Sequence, residues 1–197
     1  MTRIVAILGS VTPPGRLSGA ISQAVARAAT AGHDVEFFDL AELKIGFVGR
    51  PENGAANADA ARIVQAVTAA EAVLFATPVY RASFTGALKN LLDLLPAEAL
   101  VAKPCGIVAM GATPHHFLGA DRHLRDVLAR FGALVAPVSV YLTNAEFVDG
   151  QLSESPQSAL DDLIATLSLL ASATAGKALG PVPFAVLAQR PRPAPGA

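Results

Sequence analysis

This chain is poor in the residues that build several common kinds of site. Its 197 residues include one cysteine, Cys105, two methionines, two tyrosines and no tryptophan. A single cysteine excludes an intrachain disulfide and a cysteine-based zinc site, and it fits a reducing compartment. By itself it reads as a small buried apolar residue. Charge is scarce too, at 16% of residues against about 25% in ordinary globular domains. Fifteen Lys and Arg face sixteen Asp and Glu, for a formal net charge of −1. No cationic excess exists to neutralise the phosphates of a nucleic acid. No apolar run reaches the roughly 18 residues that span a bilayer. Met1-Thr2-Arg3 followed by Ile4 to Leu8 is too short an apolar start for a signal peptide and has no small-residue cleavage site behind it. The expectation is a soluble cytoplasmic protein without nucleic-acid or membrane partners.

What the chain has is apolar surface to hide. Hydrophobic residues make up 52% and the mean hydropathy is +0.46. A chain of this length buries about 70% of its unfolded surface, enough for a core without staples. The excess beyond that points to a heavily buried architecture or a subunit interface.

Strand and helix signals alternate along the chain. Arg3–Leu8, a short, nearly continuous apolar run, reads as a buried strand, and Asp34–Phe38, Ala72–Ala76, Cys105–Met110 and Leu134–Leu142 read as four more strands. Between and after them, Ser18–Thr30, Asp59–Ala69, Ser83–Leu95, His116–Arg130 and Gln157–Ala173 carry the helical period, with Gly32, Pro96, Gly132 and Gly176 as stops. Residues 41–58, with three glycines and a proline, read as a long loop. Five strand–helix units mean an α/β fold, a parallel sheet with helical crossovers on its faces. Residues 1–176 form the expected domain. Residues 177–197 form a Pro-rich tail, extended and partly disordered.

In an open parallel sheet, ligands bind beyond the carboxyl ends of the strands. Three loops therefore matter. Gly9-Ser10-Val11-Thr12-Pro13-Pro14-Gly15-Arg16-Leu17-Ser18 joins the first strand to a helix N-terminus and offers hydroxyls, backbone N–H groups and one arginine, which suits a phosphate. An ordinary turn capped by Ser18 is the competing reading. The loop is neither a Walker A nor a Gly-x-Gly-x-x-Gly motif. Thr77-Pro78-Val79-Tyr80-Arg81 follows the third strand; its backbone can bond the edge of a flat ring and Tyr80 can flank one. Gly111-Ala112-Thr113 follows the fourth strand and permits close backbone approach. No Gly-x-Ser-x-Gly elbow is present. His116 and His123 lie seven residues apart, without a third ligand at metal-site spacing. Lys89 and Asp93 read as a solvated i, i+4 ion pair.

The segment from Thr77 through Ser83-Phe84-Thr85-Gly86-Ala87-Leu88-Lys89-Asn90 to Pro96 resembles the signature of the NAD(P)H-dependent FMN reductases. It is most similar to the branch that supplies reduced flavin to two-component alkanesulfonate monooxygenases. Gly9-Ser10 with Arg16 and Ser18 resembles that family's phosphate loop, and Gly111-Ala112-Thr113 is also similar. The resemblance covers roughly residues 3–175.

It implies a flavodoxin-like three-layer sandwich with a five-stranded parallel sheet in the order 2-1-3-4-5. It implies FMN at the switch point, NADPH or NADH as hydride donor, a separate flavin-dependent monooxygenase as partner, and a homodimer or homotetramer. Carried over by position, Ser10, Arg16 and Ser18 would hold the phosphate. Pro78, Val79, Tyr80 and Arg81 would line the isoalloxazine, and Gly111, Ala112 and Thr113 would close its other side. The chain departs from the pattern twice. Val11-Thr12 stands where the family often has Pro-Arg. Arg122 and His123 occupy the part of the fourth helix where the sulfonate-linked branch carries an inserted aromatic residue and a π-bulge.

Hydride transfer asks for stacked rings and tuned electrostatics rather than an acid or a base, so no catalytic residue is assigned. Backbone N–H groups of the third loop are the candidates for stabilising reduced flavin. Two alternatives remain open at this point. An FMN-retaining quinone or azo reductase would keep its flavin through purification. A non-catalytic flavodoxin-like electron carrier would not oxidise NAD(P)H with excess FMN.

Overall fold

The computed structural model describes residues 1–12, 14–48, 55–183 and 186–187, without the side chains of 55–57. The elements in order are β1 (Arg3–Leu8), α1 (Arg16–Thr30), β2 (Asp34–Asp39), α2 (Ala55–Ala69), β3 (Ala72–Pro78), α3 (Gly86–Leu94), β4 (Pro104–Met110), α4 (Phe117–Arg130), β5 (Leu134–Val135), β6 (Val140–Leu142), β7 (Phe147–Val148), β8 (Gln151–Leu152) and α5 (Glu154–Thr174). The strand order is β2-β1-β3-β4-β5, with β6 also on β4, and the pairings of this sheet are parallel. This is the α/β flavodoxin-like sandwich and the strand order that the resemblance implies.

The two-residue period of a strand divides its apolar side chains between two cores. Ile4, Ala6 and Leu8 of β1 and Leu74 of β3 pack with Ile21, Ala24 and Leu167, beneath α1 and α5. Val5 and Ile7 of β1 and Val73 and Phe75 of β3 pack with Leu88, Leu91 and Leu124, beneath α2, α3 and α4. A sheet covered on both faces needs apolar residues at both parities, which is why the strands read as continuous runs. α1 presents Leu17, Ala20, Ile21, Ala24 and Ala28 to the sheet, a spacing of three and four that makes one helix face.

One expected strand becomes two. Leu134–Leu142 splits into β5, which aligns Pro104 with Leu134, and β6, which aligns Val108 with Val140. Ala136 N–H still donates to Cys105 O at 2.8 Å, and the ladder breaks after it, at Pro137, which has no N–H to donate. The sheet therefore has six strands rather than five. β7 and β8 form a small antiparallel hairpin that the strand–helix alternation did not announce. Its turn is Asp149-Gly150, with φ of 49° and 79°. Asp-Gly is a strong short-range hairpin signal.

α3 starts at Gly86 rather than Ser83, because Thr85 is its N-cap and accepts the Leu88 N–H. It stops before Leu95-Pro96, as the proline demands. Of the tail, Pro183 lies against Gly132, where a methyl group would come within 2.5 Å of its ring. Residues 184, 185 and 188–197, and with them most of the expected disorder, lie outside the described residues. So do residues 49–54 of the long loop.

Candidate functional site

Loops after β1, β3, β4 and β6 converge at the carboxyl edge of the sheet, and a short hydrogen-bonding chain ties the first two together. Gly9 N–H donates to Ala76 O at 2.7 Å. The Thr85 hydroxyl donates to the Gly9 carbonyl and also caps α3. Thr85 N–H donates to the Thr77 hydroxyl at 3.2 Å, and that hydroxyl donates to Pro78 O at 2.9 Å. A side chain on Gly9 would place its Cβ 2.7 Å from Leu88 Cβ, so β1 can turn out over α3 only through glycine.

The β1–α1 loop opens onto a helix start that no side chain caps. Gly15 is the N-cap without a side-chain bond, and the first turn of α1 has no acidic residue. The first intrahelical bond runs from Gly19 N–H to Gly15 O at 3.0 Å. The N–H groups of Arg16, Leu17 and Ser18 therefore precede the helical ladder, at the positive end of the helix dipole.

The predicted phosphate side chains are partly engaged elsewhere. The Ser10 and Thr12 hydroxyls lie 2.9 Å apart. Arg16 donates to Asn144 Oδ1 at 2.9 Å, and its guanidinium lies 6.0 Å from the Phe147 ring centre. The Ser18 hydroxyl turns away and donates to Asp39 Oδ2 at 3.3 Å. Asp39, the last residue of β2, is a buried carboxylate that also accepts the Ala41 N–H.

The β3–α3 loop is a tight hairpin. Tyr80 N–H donates to Ser83 O at 2.8 Å and Ser83 N–H to Tyr80 O at 3.0 Å. The two central residues, Arg81 and Ala82, have φ of 51° and 61°. This is the left-handed pattern of a mirror-image two-residue turn, where Asn-Gly would be ordinary. Val79 N–H is spent on Met110 O at 2.8 Å. What the loop presents outward is the Tyr80 ring, 45% exposed, and the Arg81 side chain.

The β4 loop is held by a residue the sequence reading missed. Gly111 N–H donates to Leu142 O at 3.0 Å. The Tyr141 hydroxyl of β6 donates to Thr113 O at 2.7 Å, passing over Gly111, where any methyl group would overlap it. Tyr141 also meets the Phe117 ring edge-on at 5.5 Å. Burial, with a smaller push from the Glu146 carboxylate, holds its phenol above the ordinary pKa of 10.0, so it stays a donor. Glu146 is held below the usual carboxylate range chiefly by the Thr143 hydroxyl. Period two along Val140-Tyr141-Leu142 is the signal that could have found Tyr141, since it sets this side chain against the face of its buried neighbours.

A second omission is a pocket of about 460 Å³ beside Tyr80, lined by Leu40, Leu43, Ile45 and Phe47 together with Val11 and Thr85. Asn90 of α3 ties this segment down, donating to Gly46 O and accepting Val48 N–H. Gly46 and Gly49 mark this segment as loop, while the apolar residues Leu43, Ile45 and Phe47 around them line the pocket.

The structure thus brings the three predicted loops to one edge. Residues 9–16, 79–85 and 111–116 contain no Asp or Glu, while Arg16, Arg81, His115 and His116 stand among them. Three loops without Asp or Glu, an uncapped helix start, an exposed Tyr80 ring and a loop floored by Gly111 fit a flat ring carrying a phosphate, which is the chemistry of FMN. The class so defined is a flavodoxin-like oxidoreductase.

Comparison with known proteins agrees. The profile of the NADPH-dependent FMN reductases matches residues 2–147. The NADH-dependent FMN reductase SfnF of Pseudomonas putida is 34% identical over 157 residues, 79% of this chain and 84% of that protein. The NAD(P)H-dependent FAD/FMN reductase of Geobacillus thermodenitrificans is 35% identical over 114 residues, 58% of this chain and 62% of that relative. Among solved structures, the apo form of the NADH:FMN oxidoreductase EMOB superposes with a TM-score of 0.70 at 29% identity, covering 86% of this chain and 89% of that one. An archaeal flavodoxin, 10% identical with a TM-score of 0.59, shares the fold. The chain belongs to the NADPH-dependent FMN reductase family, whose members use FMN and a nicotinamide nucleotide.

Proposed function

We propose that the edge formed by the three loops is the flavin site, and that the protein reduces FMN with NADPH or NADH and releases reduced flavin to a separate flavin-dependent monooxygenase. The observation that carries this is the convergence of three loops that hold no Asp or Glu beside an uncapped helix start. The flavin-supply reading over a flavin-retaining quinone or azo reductase rests on relatives that are named FMN reductases. Association as a homodimer or homotetramer and a cytoplasmic setting belong to the same proposal; among the described residues no helix is long and apolar enough to cross a membrane.

Bound FMN supplies the ring that accepts hydride from the nicotinamide. The chain's part is binding, orientation and electrostatics. The N–H groups of Arg16, Leu17 and Ser18, with the Ser10 hydroxyl, would hold the phosphate, and the Arg16 guanidinium would add its charge on leaving Asn144. Ser18 takes part through its backbone while its hydroxyl stays on Asp39, and it would have to turn about χ1 to contribute more. Pro78, Val79, Tyr80 and Arg81 form one wall of the ring slot. Gly111, Ala112 and Thr113 form the other. With Gly111 N–H occupied, Ala112 and Thr113 are the donors that loop retains for the negative charge of reduced flavin. Tyr141 fixes those donors by holding the Thr113 carbonyl.

FMN titration by flavin fluorescence tests the assignment. Arg16→Ala is expected to weaken binding of FMN about 10-fold or more, as loss of a charge-assisted bond does, and to leave riboflavin, which has no phosphate, nearly unaffected. Equal losses for FMN and riboflavin, or no loss for either, would refute the phosphate assignment.

A further inference from the structure

The strained turn of the flavin slot does not stand alone. Arg81 and Ala82 hold a backbone conformation that costs an L-residue energy and persists only where surroundings enforce it. Two residues of α4, four apart and so on one helix face, meet this turn. Gly119 lies against the Ala82 carbonyl so closely that a methyl group there would overlap the oxygen and touch Ala82 Cβ. His123 Nδ1 lies 3.1 Å from the Ser83 hydroxyl. Arg122, beside His123 on the exposed side of the helix, has no described bond to the turn.

We propose that Gly119 and His123 are positioning residues for flavin: α4 clamps the Tyr80–Ser83 turn in its left-handed conformation and so sets the wall formed by Tyr80 and Arg81. Gly119 removes the side chain that would push Ala82 outward. His123 ties down the far end of the turn through Ser83. The clamp is part of the flavin-free fold, so the slot is shaped before flavin arrives and less ordering is left for binding to accomplish. Its role toward flavin rests on the assignment of Tyr80 and Arg81 to the slot.

The test has two readouts. Hydrogen exchange at the Tyr80 and Ser83 amides, which bond each other across the turn, reports the clamp in flavin-free protein. Fluorescence titration reports FMN affinity. His123→Ala is expected to lower protection of both amides and to raise the FMN Kd about 2–10-fold, the range of one hydrogen bond. His123→Asn, whose amide reaches where Nδ1 stood, is expected to restore both. Ser83→Ala combined with His123→Ala should cost no more than either alone. Gly119→Ala should weaken FMN by more than His123→Ala. If it does not fold, the His123 and Ser83 variants still decide. Arg122→Ala serves as the control and should change neither readout.

Unchanged amide protection in His123→Ala would overturn the clamp. Lost protection with unchanged FMN affinity, or additive losses in the double variant, would overturn its positioning role. Wild-type protein that keeps protected amides but does not bind FMN would instead refute the flavin-site reading, and the positioning role with it.

Discussion

Replacing Ala82 with glycine should make the protein more stable, against the usual effect of adding a glycine. Ala82 sits at φ 61°, where an L-residue is disfavoured by roughly 1–2 kcal/mol. Glycine escapes that penalty but loses about 0.5–1 kcal/mol more backbone entropy on folding than alanine. Ala82 is exposed, so its methyl group leaves no cavity. The difference is a net gain of about 0–1.5 kcal/mol, centred near 0.75. For a chain of this size the central value is a rise in Tm of about 1.5–3 °C. Thermal unfolding followed by circular dichroism at neutral pH, with flavin-free protein on both sides, reads it directly. Ala82→Val should move the other way, because a β-branched residue tolerates positive φ least. A fall in Tm on Ala82→Gly would refute the claim that this turn stores strain, and with it the reason for a clamp on α4.

Other perturbations test other joints of the site. Gly111→Ala is expected to lower Tm by roughly 5–15 °C, since an overpacked methyl group costs about 1–3 kcal/mol and the Tyr141–Thr113 bond about 1 more; differential scanning calorimetry checks it. The Tyr141 phenol is held above its ordinary value, so its contribution to stability is complete below pH 10 and is lost as pH rises toward and through the raised native value. Urea midpoints across the alkaline range should show this decline in wild type, and Tyr141→Phe should lack that component. Burial pushes the Cys105 thiol up to about 12, so iodoacetamide should leave it unlabelled in native protein and label it fully in urea, as read by intact mass.

Much of this fold is readable in the chain because burial on both faces leaves a strong mark. Ile4 to Leu8 and Ala72 to Ala76 need apolar residues at every position, and such runs separated by helical periods have few other solutions. The errors fall where local chemistry interrupts a pattern. Pro137 broke a run that hydropathy alone joined. Ser83 to Thr85 reads as the start of a helix by period, yet the Tyr80–Ser83 hairpin bonds and the Thr85 cap delay that helix to Gly86. The loop residues of the site were visible because strand ends in a parallel sheet are where ligands sit. Tyr141, Gly119 and His123 were not, because each acts on a loop distant in sequence, across a contact that only the folded chain makes. Ser18 was legible as a helix-start residue, but its preference for Asp39 over the open loop depends on where β2 ends.

The measurement that bears most directly on the account is NADPH and NADH oxidation, followed by nicotinamide absorbance with and without added FMN, on protein whose bound flavin has first been quantified. The account predicts little oxidation without flavin and a rate that rises and saturates with added FMN. Protein that binds its flavin stoichiometrically and oxidises the nucleotide only when a quinone or azo dye is supplied would contradict it, because the flavin would then be a resident group and not the product handed on.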